Sequence, residues 1–134
     1  MAGITGKYQL ISSKNFDEYM QELGVGLLTR KMADAAKPVT TIEVNGDEWT
    51  IKTDMLFKST TIKFKLGQEF EEDRADGTKC KSIITRDGEK LIHNQKSSEG
   101  GKDSSILREF HGDEMDMTLK AGNITCTRIY KKIE

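Results

Sequence analysis

The sequence predicts an all-β protein, an antiparallel up-and-down barrel of about ten strands with two short helices inserted after the first strand. Three observations carry this. Apolar and polar residues alternate with period two in successive short segments from Val39 to Lys132. Asn-Gly, Asp-Gly and other glycine-containing pairs, which fit tight hairpins, separate those segments. Helical spacing is confined to residues 15–37.

The first strand is "KYQLISS". In "NFDEYMQELG", Phe16, Tyr19, Met20 and Leu23 share one helical face. Asn15 stands as N-cap, with Glu18 three residues on, and Gly24 as the stop. After "GVG", the stretch "LLTRKMADAAK" predicts a second helix with Leu28, Met32 and Ala35 or Ala36 on one side, ended by Pro38. A DNA-reading helix pair would need a basic second helix in a cationic domain, whereas the first helix here carries Asp17, Glu18 and Glu22.

The strands that follow are "VTTIEV", "EWTIKTD", "TTIKFKL", "EFEED", "KCKSIITR", "KLIHNQK", "SILREF", "MDMTLKA" and "ITCTRIYKK". Consecutive hairpins at this spacing indicate a meander, and closure into a barrel removes exposed edges. A sandwich is the alternative, though its Greek-key crossovers usually need longer connections. "KSSEGGKDSS" reads as a loose hairpin loop, and with no linker or internal repeat residues 1–134 read as a single domain.

Lys and Arg total 21 against 22 Asp and Glu, a net charge of −1, so no electrostatic footprint for nucleic acid is present. No apolar run is long enough to span a membrane or serve as a signal peptide, and Ala2 removes an N-myristoylation reading. Cys80 and Cys126 form neither a metal spacing nor a secreted disulfide framework. These features predict a cytoplasmic protein, with the nucleus also open to it, for which the sequon at Asn123 is irrelevant.

Catalytic signals are weak. His93 and His111 lack a partner at zinc spacing and read as surface or core-edge residues. "GGKDS" fails as a phosphate loop, because Lys96 stands at the first glycine position and Asp103 where Ser or Thr is needed. "EFEED" lacks a calcium-loop pattern and reads as a solvated strand end. There is no nucleophile elbow, and the cysteines read as small buried apolar residues, although Cys126 shares a face with Arg128 where a reactive lipid could modify it slowly. The expectation is a non-enzyme without cofactor or metal.

Alternation in the last three strands puts Ile106, Arg108 and Phe110 on one face, Met115, Met117 and Leu119 on another, and Cys126, Arg128 and Tyr130 on a third. If those faces turn inward, two guanidinium groups lie among apolar side chains with no acid on the same faces. Such cations call for an anion, and a carboxylate suits a guanidinium and a tyrosine hydroxyl best. Periodicity alone leaves open whether the faces point in or out.

The chain resembles the intracellular lipid-binding proteins, most closely the cytosolic fatty-acid-binding proteins of muscle and heart type. The resemblance runs through "NFDEYMQELGVG", "TRKMADAAKP", "NGDEWTIKT", "FKLGQEFEE", "DGEKLIHNQK", "LREF" and "CTRIYKK". It implies a calycin-like ten-stranded barrel lidded by two helices, with Arg128 pointing inward. It further implies that Arg108, Arg128 and Tyr130 bind a ligand carboxylate, and that Phe16, Tyr19, Met20, Leu23, Pro38, Thr53, Phe57, Ala75, Asp76, Ile106, Met117 and Leu119 line the cavity and its portal. Tyr8 stands where the family often has tryptophan, and the "KSSEGGKDSS" loop is about two residues longer than in muscle-type members.

The implied function is reversible, non-covalent carriage of a long-chain fatty acid by a monomer. Burying a dozen methylenes at ~0.8 kcal/mol each gives on the order of 10 kcal/mol before costs, enough to supply most of a micromolar affinity. The portal would lie between the helices and the "DMLFKS" and "RADGT" turns, where Arg30, Lys31 and Lys58 could steer the protein to anionic membrane surfaces. Two alternatives stand beside it, a retinoic-acid carrier of the same family and a packed interaction barrel with no ligand.

Overall fold

The computed structural model describes residues 4–55, 58–74, 77–98 and 101–134. The first strand, β1 (Gly6–Lys14), is followed by the helices α1 (Phe16–Leu23) and α2 (Leu27–Ala35). Then come β2 (Val39–Asn45), β3 (Glu48–Met55), β4 (Lys58–Lys65), β5 (Phe70–Asp73), β6 (Lys79–Asp87), β7 (Lys90–Ser97), β8 (Ser104–His111), β9 (Glu114–Ala121) and β10 (Ile124–Lys132).

The ten strands form one antiparallel sheet in the order β4-β3-β2-β1-β10-β9-β8-β7-β6-β5. Each strand pairs with its sequence neighbour except β4 with β5, and β1 joins β10 to bring the two ends of the chain together. The result is the predicted meander rolled into a nearly closed barrel. Across the β4–β5 seam the backbones do not pair, but the Phe64 and Phe70 rings stack with centroids 5.5 Å apart. In β1 the register slips between Leu10 and Ser12, so the backbone bulges and Ile11 points to solvent.

Inward-facing residues form two apolar clusters. One fills the end of the barrel with Tyr8, Ile42, Trp49, Ile51, Phe64, Leu91, Phe110 and Met115 among others. The second, of Tyr19, Met20, Leu23, Val25, Leu119, Ala121 and Cys126, lies under α1. Tyr130 belongs to the first cluster, Phe16 and Ile106 pack against the second, and Met117 packs against both.

α1 departs from expectation at its start, and the structure decides which way α2 faces. Asn15 adopts a left-handed conformation (φ 65°) and makes no side-chain cap; its amide instead donates to the Thr125 carbonyl at 3.2 Å, tying α1 to β10. Gly24 ends α1 in the left-handed conformation, as predicted. At the far end of α1, Glu22 pairs with Lys102, and Gly122 leaves room for the Glu22 carboxylate. No residue of α2 is buried, so the predicted apolar side, Leu28 and Met32, faces out. The reason is Arg30, whose Nε donates to Asp17 Oδ1 at 3.0 Å and Nη1 to the Val25 carbonyl at 2.8 Å. These bonds turn the Arg30 side of α2 toward α1. Neither helix is long and apolar enough to cross a membrane.

Candidate functional site

The three C-terminal strands set the site by register. Met117 on β9 pairs with Arg108 on β8 and with Arg128 on β10, so both arginines share one rung. At ~4.8 Å per strand their Cα atoms lie about 10 Å apart. The next rung is Phe110, Met115 and Tyr130, and the rung on the other side is Ile106, Leu119 and Cys126. Alternation turns these side chains inward, leaving Arg108, Arg128 and Tyr130 buried. The structure thereby decides the orientation that periodicity left open.

The two arginines differ in what they meet. Arg128 carries its guanidinium carbon 3.6 Å from the centroid of the Phe16 ring, a cation–π contact supplied by α1. Among the described residues it has no ion pair, and its Nε has no hydrogen-bond partner. Burial raises the Tyr130 phenol above its usual value although Arg128 and Arg108 nearby pull it down, so it stays protonated and can donate. Arg108 instead donates from Nη1 to His93 Nδ1 at 3.2 Å. His93 Nε2 lies 2.6 Å from Glu72 Oε2, which also accepts from Ser82 Oγ at 2.6 Å and Gln95 Nε2 at 3.1 Å.

This network corrects one expectation and decides another that was left as surface or core edge. "EFEED" is not wholly solvated, because alternation along β5 half-buries Phe70 and Glu72 and leaves Glu71 and Asp73 exposed, Asp73 at the cavity mouth. His93 is no surface histidine but 1% exposed. Burial and the neighbouring Arg108 lower its pKa despite Glu72, so the ring is neutral at neutral pH, with Nε2–H donating to Glu72 and Nδ1 accepting from Arg108. Burial would raise the Glu72 carboxyl, but the hydrogen bonds from His93, Ser82 and Gln95 outweigh it and hold the pKa at about 2. Arg108 therefore has an internal carboxylate at one remove. That acid lies on a different strand from the arginine it serves, which is why reading β8, β9 and β10 alone did not find it.

A cavity of about 210 Å³ opens beneath the lid. Phe16, Tyr19, Met20, Leu23, Pro38, Thr53, Ile106, Arg108, Met117, Leu119, Arg128 and Tyr130 all line it. Phe57, Ala75 and Asp76 lie outside the described residues. Sequence reasoning missed Ala33, Thr40, Met55, Asp73, Arg74 and Gln95 on the same wall. The continued alternation Phe70, Glu72, Arg74 was the available signal for Arg74, which the "RADGT" turn reading obscured. A second hollow of about 640 Å³ follows the β4–β5 seam and shares Met55, Asp73 and Arg74 with the first.

Of the three expected steering cations, Lys31 and Lys58 are exposed, while Arg30 is committed to Asp17. Burial pushes the Cys126 thiol up to about 11 despite Arg128 nearby, which leaves it a protonated, unreactive neighbour of the site.

This architecture, an all-β barrel with a lidded polar-and-apolar interior, has close relatives. Residues 5–133 match the family model described as the lipocalin / cytosolic fatty-acid binding protein family, and the chain belongs to that family. It is 47% identical over 133 residues to sodium/calcium exchanger regulatory protein 1 of Doryteuthis pealeii, covering 99% of this chain and 98% of that one. It is 44% identical over 133 residues to a fatty acid-binding protein of Lepidoglyphus destructor, covering 98% and 99% respectively. The solved Schistosoma mansoni fatty acid binding protein in complex with arachidonic acid superposes with a TM-score of 0.94 at 35% identity, covering 100% of this chain and 98% of that one.

Proposed function

We propose that residues 1–134 form one lipid-binding domain that carries long-chain fatty acids reversibly in its interior, as a cytoplasmic monomer without catalytic activity of its own. The observation that carries this reading is Arg128. It is a buried guanidinium beside the Tyr130 hydroxyl, facing an apolar-lined cavity, and among the described residues its charge is met by an aromatic ring rather than a carboxylate. A fatty-acid carboxylate supplies the missing anion, with Arg108 completing the clasp from the far side of Met117. Relatives named for fatty acid support the same cargo, and the hollow interior favours a carrier over a packed interaction barrel.

In this reading the alkyl chain provides most of the affinity by leaving water, while the arginines and tyrosine select acids over esters and alcohols and fix the orientation. Exposed Leu27, Leu28 and Met32 on α2, with Lys31 and Lys58, offer an apolar and cationic face for transient contact with anionic membranes during transfer.

The test is native mass spectrometry of the purified chain, followed by competition between oleate and retinoic acid on delipidated protein. Co-purified or added fatty acid at one per chain supports the reading, and preferential uptake of retinoic acid replaces the cargo. Arg128→Ala should weaken oleate binding yet leave appreciable affinity; undiminished binding would remove the cation from the site.

A further inference from the structure

We propose that Glu72 sets the charge of the lipid head that this protein accepts. Because Glu72 holds Arg108 through His93, the cavity takes singly charged heads and discriminates against dianionic ones, such as long-chain alkyl phosphates. The proposal rests on the carrier reading and narrows the class of acids it admits. Glu72 acts on the ligand through Arg108 and is in that sense a specificity-determining residue.

The connection is made of side chains alone. Glu72 lies on β5 and Arg108 on β8, three strands away in the sheet. Between them the His93 ring, on β7, accepts from Arg108 Nη1 at 3.2 Å and donates to Glu72 Oε2 at 2.6 Å. The side chains of His93 and Glu72 are 1% and 8% exposed, and Arg108 is buried with them. Ser82 and Gln95 donate to the same carboxylate oxygen, which fixes its place and keeps it ionised. Burial works against the Arg108 cation, and Glu72 is foremost among the groups that favour it. The two charges are therefore partners, although no direct ion pair joins them.

This partnership separates what Arg108 can donate from what its charge can attract. Its Nε has no hydrogen-bond partner among the described residues, so the guanidinium can still donate to a ligand head. An anion drawn to Arg108, however, also meets the field of Glu72 behind it. In a buried site little screening separates the two, and attraction and repulsion largely offset. Arg128, across Met117, meets an aromatic ring and no carboxylate among the described residues. The first negative charge of a head is thus met by Arg128 with Tyr130. A second charge on the same head must still leave water, and it gains little from Arg108 in return. A carboxylate carries one charge, whereas a phosphate monoester carries nearly two above neutral pH.

Hexadecyl sulfate and hexadecyl phosphate share a chain length and a tetrahedral head, but at pH 8 they carry about one and about two charges. Displacement of a bound fluorescent fatty acid from delipidated protein compares them, with palmitate alongside. Wild type should bind the sulfate about tenfold or more tightly than the phosphate. Glu72→Gln keeps the size of the side chain and removes its charge, and should shrink that ratio about fivefold or more. A merely structural role for Glu72 would weaken both ligands alike and leave the ratio where it was. A sulfate bound no more tightly than the phosphate by wild type, or an unchanged ratio in a folded Glu72→Gln, overturns the proposal. The first comparison uses wild-type protein alone and holds if the glutamine variant does not fold. Failure of wild type to bind palmitate at all would instead overturn the carrier reading.

Discussion

Arg108 and Arg128 flank Met117 on one rung of the barrel, yet Arg108 reaches an internal carboxylate through His93 while Arg128 rests on the ring of Phe16. Equivalent by register, the two cations are opposite in their energetic consequence.

Removing each should therefore shift stability in opposite directions. Arg128→Leu deletes a buried charge that no carboxylate among the described residues balances, and should stabilise the ligand-free protein by about 1–2 kcal/mol. Arg108→Leu strands the Glu72 carboxylate and its neutral histidine, and should cost about 3 kcal/mol. Urea unfolding of delipidated protein measures both; changes of the same sign would contradict this division.

Acid should unfold the protein in two stages. The folded pKa of His93 is lowered, so the unfolded chain takes up this proton first, and stability falls as pH drops below about 6.5. The Glu72 pKa is also lowered, to about 2, so its contribution is complete above about 4.5 and is lost as pH falls toward 2. Thermal scans from pH 8 to pH 3 should show both losses, and His93→Gln should flatten the first and shrink the second, because His93 is foremost among the groups that hold the Glu72 carboxyl down.

Gly122 supports the lid through a side chain on α1. Its φ is +56°, and a Cβ there would collide with the Glu22 carboxylate. Gly122→Ala should cost about 1–2 kcal/mol, more than Gly112→Ala, where φ is +57° but the space is open. In a double-mutant cycle, Glu22→Ala should recover part of the difference.

Membrane transfer should depend on α2 through Lys31 rather than Arg30. Lys31→Glu should slow transfer of a fluorescent fatty acid to anionic vesicles several-fold, with little effect on neutral ones or in high salt. Arg30→Ala breaks the Asp17 clip and should loosen α2 without abolishing the preference for anionic lipid. Rates in wild type that ignore both lipid charge and salt would exclude electrostatic docking.

The barrel was legible because strand alternation and glycine turns are local signals, and each hairpin announces its own neighbour. The pairing of Arg108 with Arg128 across Met117 followed from the same alternation once the inward face was known. His93, Glu72 and Arg74 were not legible in that way. Their meaning lies in side chains from β5, β7 and β8 meeting inside a curved wall, and no single segment encodes that convergence. The outward turn of α2 was not legible either, because periodicity puts Leu28 and Met32 on one side without saying where that side faces, and the bonds of Arg30 decide it.

The unpaired seam between β4 and β5 changes how the wall can deform. Elsewhere, widening the barrel means stretching a ladder of backbone hydrogen bonds, but here only the Phe64–Phe70 stack and neighbouring side chains need slide. In mechanical terms the molecule is a split sleeve rather than a pipe. Its girth can adjust to a kinked or bulky chain at the cost of side-chain contacts alone, with the nine hydrogen-bonded strand pairs left whole.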